Sequence, residues 1–263
     1  MKIYDVFLFF NEFDLLDIRM DELDGVVDKH ILIEAPYTFT MKSKPYFYYD
    51  QGWAQRPKIE CIPIPKESFE GMKPLNRNDI HYVERFQRNY VKGYLETVCK
   101  SDDVIIFSDI DEIPTVHQVA MFIGSKKGSA RFKTKLYRYF YNLYFQLWAS
   151  SHFFRWNEMK NWINDLDSIR TKCKPDIISE SCGWHFSAVG DYEFIKYKLE
   201  NKSSSNEKRV KERLKIKDYI KTRINDRLHP FKTRGAGSIV SVDDMPDYIK
   251  CNENRFHHLL LKD

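Results

Sequence analysis

Apolar residues recur along this chain in two periods, and the switches between them mark out strands and helices. Residues 6–10 are apolar at every position, which predicts a strand covered on both faces, as in the middle of a parallel sheet. Phe13, Leu16, Met20 and Leu23 then fall at helical spacing, with Asn11 placed to cap the helix, Asp14 near its positive end and Gly25 to stop it. Ile31-Leu32-Ile33, leading into Glu34, is a second buried strand. Residues 59–64 are a third, which Pro63 and Pro65 place near an edge or an end. The longest helical candidate covers 79–99, with Val83, Phe86, Tyr90, Tyr94 and Val98 on one face and Arg85 and Arg88 on the other. Val104-Ile105-Ile106-Phe107 is again wholly apolar; it runs into Ser108-Asp109-Ile110-Asp111-Glu112 and is closed by Pro114.

Beyond this point the pattern thins. Residues 130–148 are dense in aromatic and β-branched side chains and predict strands, 157–182 show no dominant period, and 192–223 read as helical with a break at Ser203-Ser204-Ser205. The alternation in the first half predicts an α/β fold with a mostly parallel central sheet flanked by helices, and in such sheets ligands bind at the carboxyl ends of the strands. The acidic cluster 108–112 lies at such an end.

Composition narrows the class without naming it. A chain of 263 residues, 43% of them hydrophobic, can bury a full core. Its net charge of +4 comes from 42 Lys and Arg against 38 Asp and Glu, so the molecule as a whole is not a polyelectrolyte. Residues 196–234, however, hold 14 basic and 5 acidic side chains. Such a stretch is usually a solvated helix face, with an anionic acceptor as the alternative partner. The five cysteines are scattered, with no short pair of the kind zinc or redox motifs need, and are expected as thiols. No targeting segment and no membrane-spanning run is visible, so the expected location is cytoplasmic.

The chemistry concentrates at Asp109 and Asp111. In an extended segment two residues at this spacing point the same way, so both carboxylates face one side as hard oxygen ligands. Mg2+ or Mn2+ held there would neutralise the charge that builds on a leaving diphosphate. The spacing alone is common: Asp165-Leu166-Asp167 repeats it, but in a polar stretch where a solvated helix face is the natural reading. What separates Asp109 and Asp111 is the buried strand in front of them, because acids ending an apolar run destabilise it unless a cation or donors compensate.

Several separated motifs carry a family resemblance. Asn11-Glu12-Phe13-Asp14-Leu15-Leu16-Asp17-Ile18-Arg19, Glu22-Leu23, Val26-Val27-Asp28, Glu34-Ala35 with Thr38-Phe39-Thr40, and Lys44-Pro45 open the match. It continues through Glu84-Arg85, Gln87-Arg88, residues 103–114, Gly183-Trp184-His185-Phe186-Ser187, Pro246-Asp247-Tyr248-Ile249 and Arg255-Phe256. In order and spacing these closely resemble glycosyltransferase family 17, most strongly over 5–114 and least between 133 and 182. The best-known activity of that family adds a bisecting N-acetylglucosamine to the core mannose of N-glycans from UDP-N-acetylglucosamine.

The resemblance implies a GT-A type nucleotide-sugar-binding domain over 1–263, with a donor and metal half at 1–125 and an acceptor half at 126–263 that carries the basic helical segment 192–234. It also implies Mn2+ or Mg2+, a nucleoside diphosphate sugar, UDP-linked first, and inverting transfer to a hydroxyl on a glycan or glycoconjugate. The expected metal ligands are Asp109, Asp111 and His185, the last against a reading as a hydrogen-bonded core histidine. Donor contacts are expected from Asn11, Glu34, Arg85, Arg88 and Asp109. The proton acceptor is open between Glu112, nearest the metal in sequence, and Glu158, Asp176 and Glu180. The aromatic run 137–145 could face sugar rings, although core packing accounts for most of it. The competing functions are transfer to modified nucleic acid, metal-dependent nucleotidyl transfer, and a glycan-binding module without catalysis.

Overall fold

The computed structural model describes residues 1–50, 56–74, 79–159, 166–171, 177–178, 183–232 and 235–262. Its parallel half is β1 (Ile3–Phe9), β2 (Lys29–Glu34), β3 (Ile59–Pro63) and β4 (Val104–Asp109). Pairing runs β3-β2-β1-β4, every step parallel, with β1 and β4 interior and β3 at the edge. Every residue of β1 is buried, as the unbroken apolar run requires. Alternation along the strand shares it between two cores: Tyr4, Val6 and Leu8 join Ile31, Ile33, Ile105 and Phe107 on one face, while Phe7 and Phe9 join Leu32 on the other.

The rest of the sheet is built from β5 (Glu112–Ile113), β6 (Ser129–Tyr139), β7 (Leu143–Arg155), β8 (Ile177–Ile178), β9 (Trp184–Val189) and β10 (Ser238–Ile239). The order continues β4-β7-β6-β9-β5, with β8 on β6 and β10 on β7. Here β7 runs antiparallel to both β4 and β6, whereas β9 is parallel to β6. The aromatic stretch expected as strands is thus the β6–β7 hairpin. Tyr137, Tyr139 and Tyr141 are buried within it, so these rings pack the core.

Helices cover both faces. They are α1 (Phe13–Leu23), α2 (Tyr82–Tyr90), α3 (Lys92–Val98), α4 (Val116–Gly124), α5 (Trp156–Met159), α6 (Leu166–Thr171), α7 (Tyr192–Asn201), α8 (Lys208–Leu214), α9 (Tyr219–Asn225), α10 (Asp247–Cys251) and α11 (Glu253–Phe256). α1 lays Leu15, Leu16 and Ile18 against Phe7, Phe9 and Leu32; α2 and α3 lay Val83 and Leu95 on the opposite face. The single helix expected over 79–99 is two, parted at Val91 just ahead of Gly93, whose missing side chain weakens helix propagation.

The basic segment breaks at the three serines as expected, in a turn of 3-10 helix at Ser203–Asn206. It breaks again before α9, at Asp218, in the left-handed region with φ 56°. Its inner side is apolar: Ile195, Leu199, Val210 and Ile220 pack on Tyr139, Leu143 and Ala188. Most of its charges, Lys208, Arg209, Lys211, Lys215 and Lys217 among them, are exposed. Among the described residues no helix is long and apolar enough to cross a membrane.

Candidate active site

The acidic cluster is a turn, which changes how its carboxylates are aimed. β4 ends on Asp109, Ile110 and Asp111 form the turn, and Glu112 begins β5. Ile110 is buried and anchors the turn in the core below. The Asp111 carbonyl of the turn accepts from the Phe186 N–H of β9 (2.8 Å), and the carbonyls around it are met by Arg19. This fully buried residue of α1 sits on the helix's apolar stripe, four residues after Leu15. Its Nη1 donates to the carbonyl oxygens of Asp109 (3.0 Å), Ile110 (3.2 Å) and Glu112 (2.9 Å), and its Nη2 to Ser108 Oγ (2.7 Å). The remaining edge of the guanidinium is bidentate on Asp5 of β1, at 2.6 and 2.8 Å, and His30 Nδ1 lies 2.8 Å from the same carboxylate. Burial would raise the Asp5 carboxyl, but the charge and hydrogen bonds of Arg19, helped by His30, hold it down at about 2.

Above the turn lies a cleft of about 280 Å³ at the carboxyl ends of β1 and β4. Phe9 and Phe10, the 37–39 loop and the turn form its floor, and α7 with Lys202, Ser203 and Ser204 forms its roof. The roof is tied down by Ser203 Oγ donating to Glu84 Oε2 (2.6 Å) and Thr40 Oγ1 donating to Asn201 Oδ1 (3.1 Å).

Asp109 and Asp111 both line this cleft, as does His185. Asp109 accepts from Arg88 Nη2 at 3.0 Å. Asp111 Oδ2 accepts from Lys198 Nζ at 3.0 Å, and its Oδ1 stands 3.7 Å from His185 Nε2. Lys198 also pairs with Glu12 Oε1 at 2.9 Å. Burial alone would lower the Lys198 ammonium, but Asp111 and Glu12 raise it above the ordinary lysine range. Burial takes the His185 imidazole down to about 4, so it is neutral near pH 7, with Nδ1 unpartnered among the described residues.

The other expected site residues are arranged differently. Arg88 was expected as a donor contact; it is buried outside the lining of the cleft, where it pairs with Glu84, Asp109 and Asp167 and so positions Asp109. Burial pushes Glu84 up, yet Arg88 outweighs it and holds the carboxyl at about 2. Asp167 is therefore a buried partner of Arg88 rather than part of a solvated face; Asp165 lies outside the described residues. Arg85 is bidentate on Asp79, at 2.6 and 3.0 Å, and does not line the cleft.

Glu34 is fully buried and turned away, accepting from the backbone N–H groups of Tyr48 and Tyr49 with Lys44 at 3.7 Å, and burial raises its carboxyl. Asn11 makes no cap to α1, and its Oδ1 is buried without a partner among the described residues. Glu112 is buried beneath the turn, with Oε2 accepting from the Asp109 N–H (3.3 Å), and does not line the cleft. Glu158 follows β7, whose antiparallel pairing with β4 carries it to the opposite end of the sheet. Asp176 and Glu180 lie outside the described residues.

Sequence reading passed over Lys198, Lys202 and Glu84 as individual cleft residues. Arg19 and Glu12 entered it only inside a motif. Their common signal was a charge inside an apolar period: Arg19 between Ile18 and Leu23, and Lys198 between Ile195 and Leu199. The exposed ring of Trp148, 6.1 Å from the His185 ring, was likewise not singled out.

His185 owes its place to Gly183. β9 pairs with β5 so that Glu112 faces His185 and Ile113 faces Trp184, and the chain enters through Gly183 at φ +77°. A Cβ there would stand 2.6 Å from the Ile113 carbonyl oxygen and 2.9 Å from Gln118 Oε1. Gly183→Ala is expected to cost about 2 kcal/mol or more from the left-handed strain and the clash. Thermal unfolding will show this as a melting temperature lower by several degrees, and an unchanged value would remove Gly183 as the pivot.

Metal-binding capacity follows from the same geometry. Among the described residues no three carboxylate, imidazole or thiolate groups close on one point. Asp111, His185 and Asp109 nevertheless offer oxygen and neutral nitrogen donors from one wall, with Lys198 standing on Asp111 as the cation present. This set fits Mg2+ or Mn2+, which complete their shells with water and substrate phosphate and need only one or two protein carboxylates.

The parallel β3-β2-β1-β4 sheet, the antiparallel β7 beside it and an acidic turn at the carboxyl end of β4 make up a fold of the GT-A type. The chain belongs to glycosyltransferase family 17, whose model matches residues 1–228. No curated protein sequence matches it. Among solved structures it is similar to a 4-diphosphocytidyl-2C-methyl-D-erythritol synthase (14% identity, 68% of this chain and 88% of that one, TM-score 0.42). It is also similar to the galactosyltransferase LgtC with donor and acceptor sugar analogs (10% identity, 64% and 62%, TM-score 0.33). A third is glucosyl-3-phosphoglycerate synthase from Mycobacterium tuberculosis with Mn2+, UDP and phosphoglyceric acid (17% identity, 51% and 43%, TM-score 0.28). The chain spans less than two thirds of the latter two, and at these scores the likenesses carry no functional weight.

Proposed function

We propose that the cleft binds a nucleoside diphosphate sugar, a UDP-sugar first, together with Mn2+ or Mg2+, and transfers the sugar with inversion to a hydroxyl of a glycan or glycoconjugate. The observation that carries this is the convergence of Asp109, Asp111 and neutral His185 on one cleft wall at the carboxyl end of β4, where open α/β sheets bind nucleotides. Asp111 and His185, with Asp109 beside them, would hold the metal. When bound, the ion supplies positive charge to the leaving diphosphate.

The chain's own groups do the rest. Arg88 fixes the Asp109 carboxylate, so the pair is oriented before substrate arrives. Lys198, 3.0 Å from Asp111, stands where its ammonium can pass from the carboxylate to the diphosphate. Phe9, Phe10 and the 37–39 loop wall the cleft on the β1 side, the nucleotide's side of the turn. For the proton of the acceptor hydroxyl, the described lining offers Glu12 and Glu84 besides Asp109 and Asp111. Both are paired in the structure, Glu84 with Arg88 and Glu12 with Lys198; Glu12 is released when Lys198 turns to the diphosphate, which makes it the better proton acceptor.

The deciding experiment is thermal unfolding with UDP, GDP, CDP and ADP, each with and without Mn2+. One nucleotide should raise the melting temperature only when Mn2+ is present, by about 2–3 kcal/mol of stabilisation at a hundredfold excess over Kd. With the matching nucleotide sugar the protein should slowly release the nucleoside diphosphate; release of pyrophosphate instead would make it a nucleotidyltransferase. No response to any nucleotide would sink the proposal.

A further inference from the structure

Matching the charges around the cleft leaves two cations over. Arg88 answers Glu84, Asp109 and Asp167; Lys198 answers Glu12 and Asp111; Lys44 lies 3.7 Å from Glu34. Arg138 and Lys202 have no carboxylate within 4.0 Å among the described residues. Arg138 is 9% exposed, its Nη1 donates to Ser187 Oγ at 2.9 Å, and its Nε is buried without a partner among the described residues. It is paired in register with Ser187 across β6 and β9, so it stands beside a residue of the cleft wall without lining the cleft itself. Lys202 lines the same cleft, with Nζ 4.9 Å above the Phe231 ring. A buried guanidinium with one side-chain hydrogen bond and no carboxylate in contact, only the more distant charge of Asp111 acting on it, is destabilising unless an anion completes it.

The surroundings register the excess. Burial, then the charges of Arg138 and Lys198, bring the Lys202 ammonium down to about 7. Burial and the same Arg138 lower His229 to about 3.

Position separates Arg138 from the donor. In the sheet order β3-β2-β1-β4-β7-β6-β9, the strands carrying Arg138 and Ser187 lie beyond β4, on the far side of the Asp109–Asp111 turn from β1 and β2. The nucleotide of an open α/β sheet lies in the crevice where the strand order reverses, here between β1 and β4. The far side is left for the second substrate.

We propose that the acceptor carries an anionic group, a carboxylate or a phosphate, which Arg138, Lys202 and Ser187 take while its reacting hydroxyl faces the turn; this rests on the transferase reading above. A charged hydrogen-bonding pocket of this kind discriminates against neutral sugars, because an uncharged acceptor would leave Arg138 uncompensated.

The test uses the full chain with saturating Mn2+ and its nucleoside diphosphate. Affinities for methyl β-glucuronide, glucose 6-phosphate and methyl β-glucoside are measured by calorimetry. At least one anionic sugar should bind roughly tenfold more tightly than the neutral one, and the better of the two identifies carboxylate or phosphate. Lys202→Gln should remove most of that preference and Lys202→Arg should keep it. Arg138→Gln is read through the ratio of charged to neutral affinity, so that a general loss of stability cancels. Equal binding of charged and neutral sugars would overturn the proposal. So would a Lys202→Gln variant that loses nucleotide affinity by the same factor, since the cations would then serve the donor. Failure of any nucleotide to bind with Mn2+ overturns the transferase reading instead, and is seen before a sugar is added.

Discussion

Asp111→Asn is expected to lower sugar transfer by about a thousandfold or more, equivalent to some 4 kcal/mol of lost transition-state stabilisation. The substitution keeps the shape of the side chain and removes the one carboxylate that faces both His185 and Lys198. It does not orphan Lys198, which keeps Glu12 at 2.9 Å. The unliganded variant should therefore unfold close to the wild-type temperature while losing the Mn2+-dependent stabilisation by nucleotide. Stability and function separate at this residue, which makes it the sharpest probe of the site. A variant that kept full Mn2+-dependent turnover would show that Asp111 is not a ligand.

Arg19→Met tests what holds the turn and should have the larger effect on stability. Arg19 is 0% exposed and connects α1 to β1, to Ser108 and to three carbonyls of the acidic turn. Removing its charge strands Asp5 in the core, a change that typically costs about 3–5 kcal/mol. Arg19→Lys should rescue little, because one ammonium cannot replace a planar fork spread over Asp5, Ser108 and the turn. Urea unfolding is the measurement, and a loss of under about 1 kcal/mol would show the network to be dispensable.

The same network sets an acid limit. With the Asp5 carboxyl held at about 2 in the folded protein, against an ordinary 3.8, its contribution is complete above about pH 4. It is lost as the pH falls towards 2, a change of about 2 kcal/mol. Arg19→Met should lack this component of the acid transition.

Local pattern was enough for the parallel half. Unbroken apolar runs at Val6–Phe9, Ile31–Ile33 and Val104–Phe107 have to be covered on both faces, and each is buried in the sheet where the pattern put it. The acidic residues after the last run were legible for the same reason, since a buried parallel strand delivers its carboxyl end to the ligand side. The second half was less legible. β7 and β9 owe their neighbours to long-range pairing, and no spacing in the sequence states that Arg138 will stand beside Ser187 or Phe107 beside His152.

The candidate site divides along the same line. Asp109, Asp111 and His185 were named from spacing and family motif, and all three line one cleft. Asn11, Glu34, Arg85 and Glu112 were named from position at strand ends or on a helix face. Position could not say that Glu34 would turn to the Tyr48 and Tyr49 amides, or that Asp79 would take Arg85. Arg88 was named as a donor contact on the face opposite the apolar stripe, because helical period assigns faces, yet α6 packs on that face and buries it against Asp167.

By itself, then, the sequence determined the class of fold, the strand end that carries the chemistry and the family, because each is written in contiguous residues or ordered motifs. Only the tertiary structure decided which charges meet. It bent the acidic cluster into a turn held by Arg19, set Lys198 on Asp111, and left Arg138 and Lys202 with no carboxylate in contact among the described residues. The physical reason is that a charge's partner is chosen by distance and burial across the sheet order. Side chains some 90 residues apart in the chain, such as Lys198 and Asp111, come within 3.0 Å only after the sheet has closed over its core.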